Sequence, residues 1–227
     1  QGKWIAFLDS DDYWLPGKLS RVMEVVRESP TIDLVCHDMK VMDATIGDAG
    51  KIKRLGPHTK FRDLLLQGNC LSASGTVIRR SIAIAAGLFP DAKSFVTAED
   101  YAFWLEVSKR GKIEYLHEVL GVYRKHNSNL SSNLPVRTQN LVNVLRYYGN
   151  ELKESGDHGA CHQLARKITA TLDAASFHAL RDCDVEQARH FLQEACDSDP
   201  SAFRSQLRKF LARGLYLVSR RPWLGSE

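Results

Sequence analysis

Three carboxylates stand within four residues: Asp9, Asp11 and Asp12 in the string Phe7-Leu8-Asp9-Ser10-Asp11-Asp12. They follow a short apolar run, residues 4–8 (WIAFL), of the kind that forms a strand buried on both faces, as in a parallel sheet. Three like charges at one strand end repel one another unless a cation or solvent offsets them. Carboxylate oxygens are hard ligands suited to Mg²⁺ or Mn²⁺. In α/β folds ligands bind outside the carboxyl ends of strands. A divalent ion there would bridge a diphosphate and stabilise it as a leaving group. The competing explanation is a solvated acidic turn capping the next helix.

A second acidic pair, Glu99-Asp100, opens the pattern AEDYAFWLEVSKRG. Acidic residues there favour the helix macrodipole, and a carboxylate within reach of a hydroxyl is also a general base. Two further segments carry suitable chemistry: Tyr123-Arg124-Lys125-His126 before a polar stretch, and the small-residue run SASGTVIRRS at 72–81.

The elements that must position these groups follow from periodicity. Pro16 opens a helix to about Glu28, with Leu19, Val22, Met23 and Val26 on one face. Leu34 to Cys36 form a strand, 43–60 a loop, Phe61 to Leu66 a short helix and Ser74 to Arg79 a strand. A helix near 81–86 closes at Gly87, and another runs from about Ala98 to Lys109. Ile113–Leu116 and Val119–Tyr123 read as two short strands. Beyond residue 135 the pattern is helical near 137–154, 160–180, 185–197 and 201–220. The organisation expected is an α/β part at 1–134 and an α-helical region at 135–227.

The string GKWIAFLDSDDYWLPGKL, residues 2–19, resembles the central motif of family 2 glycosyltransferases, which share the GT-A (Rossmann-like) nucleotide-sugar-binding fold. The resemblance implies that Asp9 and Asp11 form a DxD pair on the metal and the sugar-nucleotide diphosphate, with Asp11 the direct ligand and Asp12 an adjunct. Trp14, Pro16, Lys18 and Leu19 then shape the strand-to-helix turn. Residues 88–113 (LFPDAKSFVTAEDYAFWLEVSKRGKI) are similar to the family's acceptor segment, although Leu88-Phe89-Pro90-Asp91 replaces its usual Gly-Phe-Asp-Glu wording. By that likeness Asp100 is the catalytic base and Glu99 helps to place the acceptor. Residues 122–131 (VYRKHNSNLS) resemble the family's loop over the nucleotide, which implies phosphate pairing for Arg124 and metal or diphosphate contact for His126. Residues 72–81 resemble the strand before the acceptor site, with Ser74 and Gly75 lining the pocket.

The implied reaction is inverting transfer from a nucleotide-diphosphate sugar to a hydroxyl of a glycan or lipid-linked acceptor, in cell-surface polysaccharide synthesis. One base opposite a metal-held leaving group suits inversion, whereas retention by double displacement needs a nucleophile on the other face. The chain begins at Gln1 with an apolar strand, and the family's N-terminal βαβα half with its nucleobase-reading aspartate has no counterpart here. The expectation is a truncated catalytic domain that is inactive alone. Two alternatives stay open: a non-catalytic binding or scaffold fragment, and another metal-dependent nucleotide-diphosphate enzyme.

Composition narrows the setting. The 227 residues carry 31 basic and 27 acidic side chains, a balance that does not argue for nucleic acid. No apolar run approaches the roughly 20 residues that span a bilayer. Five widely spaced cysteines without a CxxC read as reduced thiols of a cytoplasmic protein. The segment 184–200 resembles the second half of a tetratricopeptide-like hairpin, but one unit is no array. The basic, aromatic-bearing end at 201–227 suits peripheral contact with an anionic membrane at its inner face.

Overall fold

The computed structural model of the chain describes residues 2–43, 47–53, 58–126 and 133–199. It divides into two compact units, Gln1–Asn133 and Leu134–Glu227.

In the first unit, β1 (Trp4–Ala6), β2 (Tyr13–Trp14), β3 (Leu34–Asp43), β4 (Gly47–Lys53), β5 (Thr76–Arg79) and β6 (Ile113–Lys125) form one sheet. Its order is β1-β5-β3-β6-β2, with β4 added to β3. β3 and β6 run parallel, while β1–β5, β3–β5, β2–β6 and β3–β4 are antiparallel. The central strand β3 buries Leu34 through Met39 without interruption, as a strand covered on both faces must. The register sets Ala6, Val77 and Val35 side by side. Helix α1 (Lys18–Glu28) packs Val22, Val25 and Val26 into the same cluster.

Four local expectations are corrected. The apolar run at 4–8 is not buried on both faces: Trp4, Ile5 and Ala6 are half-buried, and among the described strands β1 pairs only with β5. Helix α1 turns Lys18 inward at 1% exposure and Leu19 outward at 48%. The periodicity of its apolar residues alone favours Leu19, but the inward stripe is Lys18, Val22, Val25 and Val26, spaced by four, three and one. Within the expected loop 43–60 lies β4, whose residues GDAGKIK show no alternation; its ladder comes from the backbone of β3, so tertiary context overrides propensity. The two short strands expected after residue 113 are one strand, β6, which follows β3 through register shifts at His37–Asp38 and Asp38–Met39.

Helices α2 (Phe61–Gln67), α3 (Arg80–Ala85) and α4 (Glu99–Arg110) complete this unit. α4 buries Tyr101 to Leu105 and Val107. The Tyr101 hydroxyl donates to the Leu64 and Leu65 carbonyls at 2.7 and 3.3 Å, which ties α4 to the end of α2. Arg79, at the end of β5, is held by the chain around it. It is half-buried, binds Asp33 at 2.8 Å and the carbonyls of Pro30 and Ile32, and lies over the Trp4 ring.

The second unit holds α5 (Leu134–Glu154), α6 (His158–Arg181) and α7 (Val185–Ser198). Pro135 sits in the first turn of α5, where no intrahelical donor is lost. The Asp157 and Asp184 carboxylates cap α6 and α7 by accepting from the amides of Ala160 and Gln187. α6 presents Ala160, Leu164, Ile168, Leu172, Ala175 and Ala179 as one buried stripe, and both neighbours pack on α6. A Cβ at Gly149 would lie 2.8 Å from Leu164, so glycine permits the close approach of α5 and α6. No described helix is long and apolar enough to cross a membrane. The expected helix at 201–220, the basic terminus and residues 127–132 lie outside the described residues.

Candidate active site

The acidic turn is built around β2. Tyr13 pairs with Val122 and Trp14 with Gly121, antiparallel. Continuing that register toward the N-terminus carries Asp12 and Asp11 along the end of β6, where Arg124 and His126 stand. Asp12 Oδ1 accepts from the Arg124 amide at 2.9 Å. His126 Nε2 lies 3.0 Å from Asp11 Oδ2, with both side chains about one-third exposed. Two motifs more than a hundred residues apart are thereby held at one corner.

Beneath the turn lies Ser74, fully buried in the 3₁₀ turn Ala73–Gly75 before β5. Its hydroxyl accepts from the Asp9 amide at 3.0 Å. Its carbonyl accepts from Trp14 Nε1 at 3.0 Å and Lys18 Nζ at 3.1 Å. The Lys18 ammonium also sits 3.8 Å from the centre of the Trp14 ring. Burial pulls Lys18 down to about 8. The Asp9 carbonyl accepts from the Asp12 amide at 3.1 Å, which closes the turn. A Cβ at Gly75 would meet the His37 carbonyl at 3.0 Å, so glycine allows β3 and this turn to approach. Ser74 and Gly75 therefore support the acidic turn from below, with the Ser74 hydroxyl already bound to the chain.

The three aspartates differ in setting. Asp9 is exposed, Asp11 half-buried and Asp12 buried at 8%. Burial raises the Asp12 pKa, while the Ser74 hydroxyl and the Arg124 amide oppose the rise. Its Oδ2 is buried without a hydrogen-bond partner. Asp12 works as a tether to β6, and Asp11 with His126 is the pair that faces outward. Arg124 engages Asp12 through its backbone, and its side chain is exposed.

Would this corner suit a divalent ion? Among the described residues no group of three or more His, Cys, Asp and Glu side chains is placed to hold one. One carboxylate and one imidazole stand together, at Asp11 and His126. Mg²⁺ and its relatives are commonly bound by one or two carboxylates plus substrate phosphates, not by a complete protein cage. The residues fit that mode of binding.

The second acidic pair sits at the start of α4. Both Glu99 and Asp100 are half-buried. Asp100 Oδ1 accepts from the Tyr101 amide at 2.6 Å, and Oδ2 accepts from Asn69 Nδ2 at 3.2 Å. Glu99 Oε2 is buried without a hydrogen-bond partner. The preceding Thr97 has φ 69, an uncommon conformation for a β-branched residue. Phe103 and Trp104 lie three and four residues on from Asp100, hence on its face of the helix. Their rings pack edge-on against Phe7, with centroids 6.4 and 5.9 Å away, two residues before Asp9. This aromatic contact sets the helix start against the strand that leads to the acidic turn.

Sequence reasoning placed Lys18 at the strand-to-helix turn but not its bond to Ser74, and it did not find Asn69. Lys18 had a signal, since it falls on the stripe of Val22, Val25 and Val26. Asn69 had none, because its role depends on α2 ending beside α4.

Comparison with known proteins points to one family. Residues 1–85 match the family model described as glycosyl transferase family 2. An uncharacterised glycosyltransferase of Nostoc sp. is 27% identical over 180 residues, 74% of this chain and 55% of its own length. The Escherichia coli UDP-Glc:alpha-D-GlcNAc-diphosphoundecaprenol beta-1,3-glucosyltransferases WfaP and WfgD are 28% and 29% identical, covering 66% and 58% of this chain and 56% and 49% of their own. The chain thus spans about half the length of the curated relatives it matches. Among solved structures, Staphylococcus aureus TarS 1–349 shares 15% identity at a TM-score of 0.44, over 84% of this chain and 66% of that one. The match to glycosyl transferase family 2 thus lies within the α/β unit. The order of elements, an α/β sheet part followed by helices, is that expected for a GT-A domain with a helical region after it.

Proposed function

We propose that the protein to which this chain belongs is a metal-dependent, inverting glycosyltransferase of polysaccharide synthesis. Its donor is a nucleotide-diphosphate sugar, and its acceptor is a hydroxyl of a glycan or lipid-linked sugar. The observation that carries the reading is the convergence of Asp11 with His126 at 3.0 Å and of Asp12 with Arg124 at 2.9 Å, beneath which Ser74 holds Asp9. The names of the two Escherichia coli relatives, which state a UDP-linked donor and a diphospholipid-linked acceptor, support the substrate classes.

Asp11 and His126 would hold Mg²⁺ or Mn²⁺, and such an ion neutralises charge on a departing diphosphate. Asp9 belongs to the same turn as the other member of the DxD pair, and the exposed Arg124 side chain pairs with phosphate. Asp100 takes the proton of the acceptor hydroxyl as the new C–O bond forms, and Asn69 holds the carboxylate in place meanwhile. Glu99 orients the acceptor. A single base opposite the leaving group gives inversion. The basic residues within 201–227 make peripheral contact with an anionic membrane, so their removal should lower partitioning onto anionic vesicles.

The test is Asp100→Asn in the complete protein, assayed across common nucleotide sugars with Mn²⁺. Transfer should fall about 10²–10⁴-fold with donor binding kept, since only the base is lost. Transfer within a few-fold of parent would remove Asp100 from the role.

A further inference from the structure

Lys18 is a cation at 1% exposure whose described partners are one carbonyl and one aromatic ring. A buried ammonium without a carboxylate is costly, and an apolar side chain of similar length would fill the same space at less cost. What the ammonium does that a methyl group cannot is donate to Ser74. A continuous series of contacts starts there. Lys18 and Trp14 fix the Ser74 carbonyl, the Ser74 hydroxyl holds the Asp9 amide, and the Asp9 carbonyl holds the Asp12 amide. The Asp12 carboxylate then holds the Arg124 amide, two residues before the imidazole that meets Asp11.

We propose that Lys18 is a positioning residue: through Ser74 it holds the Asp9–Asp12 turn in the form that presents Asp11 and His126 to a divalent cation. It touches no substrate and acts only through the turn. The inference rests on the metal-dependent glycosyltransferase reading for its consequence, but its structural content stands apart. The geometry also separates it from simple packing. α1 is held to the sheet by Val22, Val25 and Val26 whether or not residue 18 is charged.

The experiment uses the complete protein, with Lys18→Met as the first variant because it keeps length and removes the charge and the donors. Two readouts do not need turnover: hydrogen exchange of the Asp9 and Asp12 amides, and binding of Mn²⁺ alone followed by the signal of the free ion. Exchange at both amides should quicken about tenfold or more, and Mn²⁺ should bind about tenfold more weakly, the scale seen when a group that orients a ligand is lost. Amides in the middle of α4 should keep parent rates. A folded Lys18→Met protein with parent exchange at Asp9 and parent Mn²⁺ affinity would overturn the proposal.

If Lys18→Met does not fold, Trp14→Phe serves instead. It keeps the ring under the ammonium and removes the second donor to the Ser74 carbonyl. Smaller changes in the same direction at Asp9 and in Mn²⁺ binding support the proposal, and parent behaviour in both overturns it. Absence of transfer by the parent with every nucleotide sugar would defeat the functional reading while leaving these results intact. Parent exchange in the variants would defeat the inference while leaving transfer intact.

Discussion

The acidic turn and the start of α4 both present carboxylates, but they are held in different ways. The turn is cross-linked by polar bonds between residues far apart in sequence: Asp9 to Ser74, Lys18 to Ser74, Asp12 to Arg124 and Asp11 to His126. The turn and its support include groups seldom found buried, namely Asp12, Lys18 and His37. The start of α4 stands on hydrocarbon and rings, with Tyr101, Phe103 and Trp104 buried behind it and half-buried carboxylates ahead. The difference matches two tasks. A cation and a diphosphate demand fixed ligands, and a polar scaffold fixes direction as well as position. A base needs a rigid support and access to a hydroxyl, and an amphipathic helix end supplies both.

That contrast can be broken, and the sharpest blow is Asp11→Ala. If the turn is the metal corner, the variant loses several kcal/mol of stabilisation, about a thousandfold or more in Mn²⁺-dependent transfer. Asp100→Asn should match it in transfer yet keep Mn²⁺ binding. Equal activity of Asp11→Ala and parent at saturating Mn²⁺ would leave the turn a solvated cap.

Acid should act through the buried polar groups packed near the turn. Burial holds the His37 imidazole down to about 4 from its ordinary 6.5, against the opposing pull of the Asp38 carbonyl. Between those values the unfolded chain binds the proton and the folded chain does not. Stability is thus complete above 6.5 and is lost as pH falls toward 4, by up to about 3 kcal/mol. Urea unfolding of parent and His37→Phe at pH 7 and pH 4.5 reads this difference. The parent should lose more than the variant, and parallel losses would show that His37 carries no such linkage.

A smaller effect separates tether from charge at Asp12. Asp12→Ala leaves the Arg124 amide without its acceptor and should cost about 1–3 kcal/mol. Asp12→Asn keeps an oxygen in place and removes a carboxyl that burial disfavours, so it should stay closer to parent in thermal unfolding. Equal losses in the two variants would mean that the charge, not the acceptor, is what β6 needs.

Much of this arrangement was readable from the chain alone. The apolar run before Asp9, Pro16 just ahead of α1 and the acidic first turn of α4 are local signals, carried by residues within a few positions of one another. They were enough to place Asp9, Asp11, Asp12, Glu99 and Asp100 at element ends and to indicate the family. β4 was missed because its side chains carry no pattern, and Leu19 was placed inward because an apolar residue at a helical spacing is ordinarily buried.

By itself, then, the sequence determined which groups are available: hard oxygens after a strand, a carboxylate pair on a helix start, and an arginine and histidine just past a short strand. Which of them meet was decided only by tertiary structure, because hydrogen bonds spanning 65 to 115 residues depend on sheet order and register. The pairing of β2 with β6 brings Asp11 to His126. The 3₁₀ turn ahead of β5 makes Ser74 the support of the acidic turn. The same packing turns Lys18, a residue whose charge alone predicts exposure, into a buried donor, since the sheet covers that face of α1 and the Ser74 carbonyl waits beneath it.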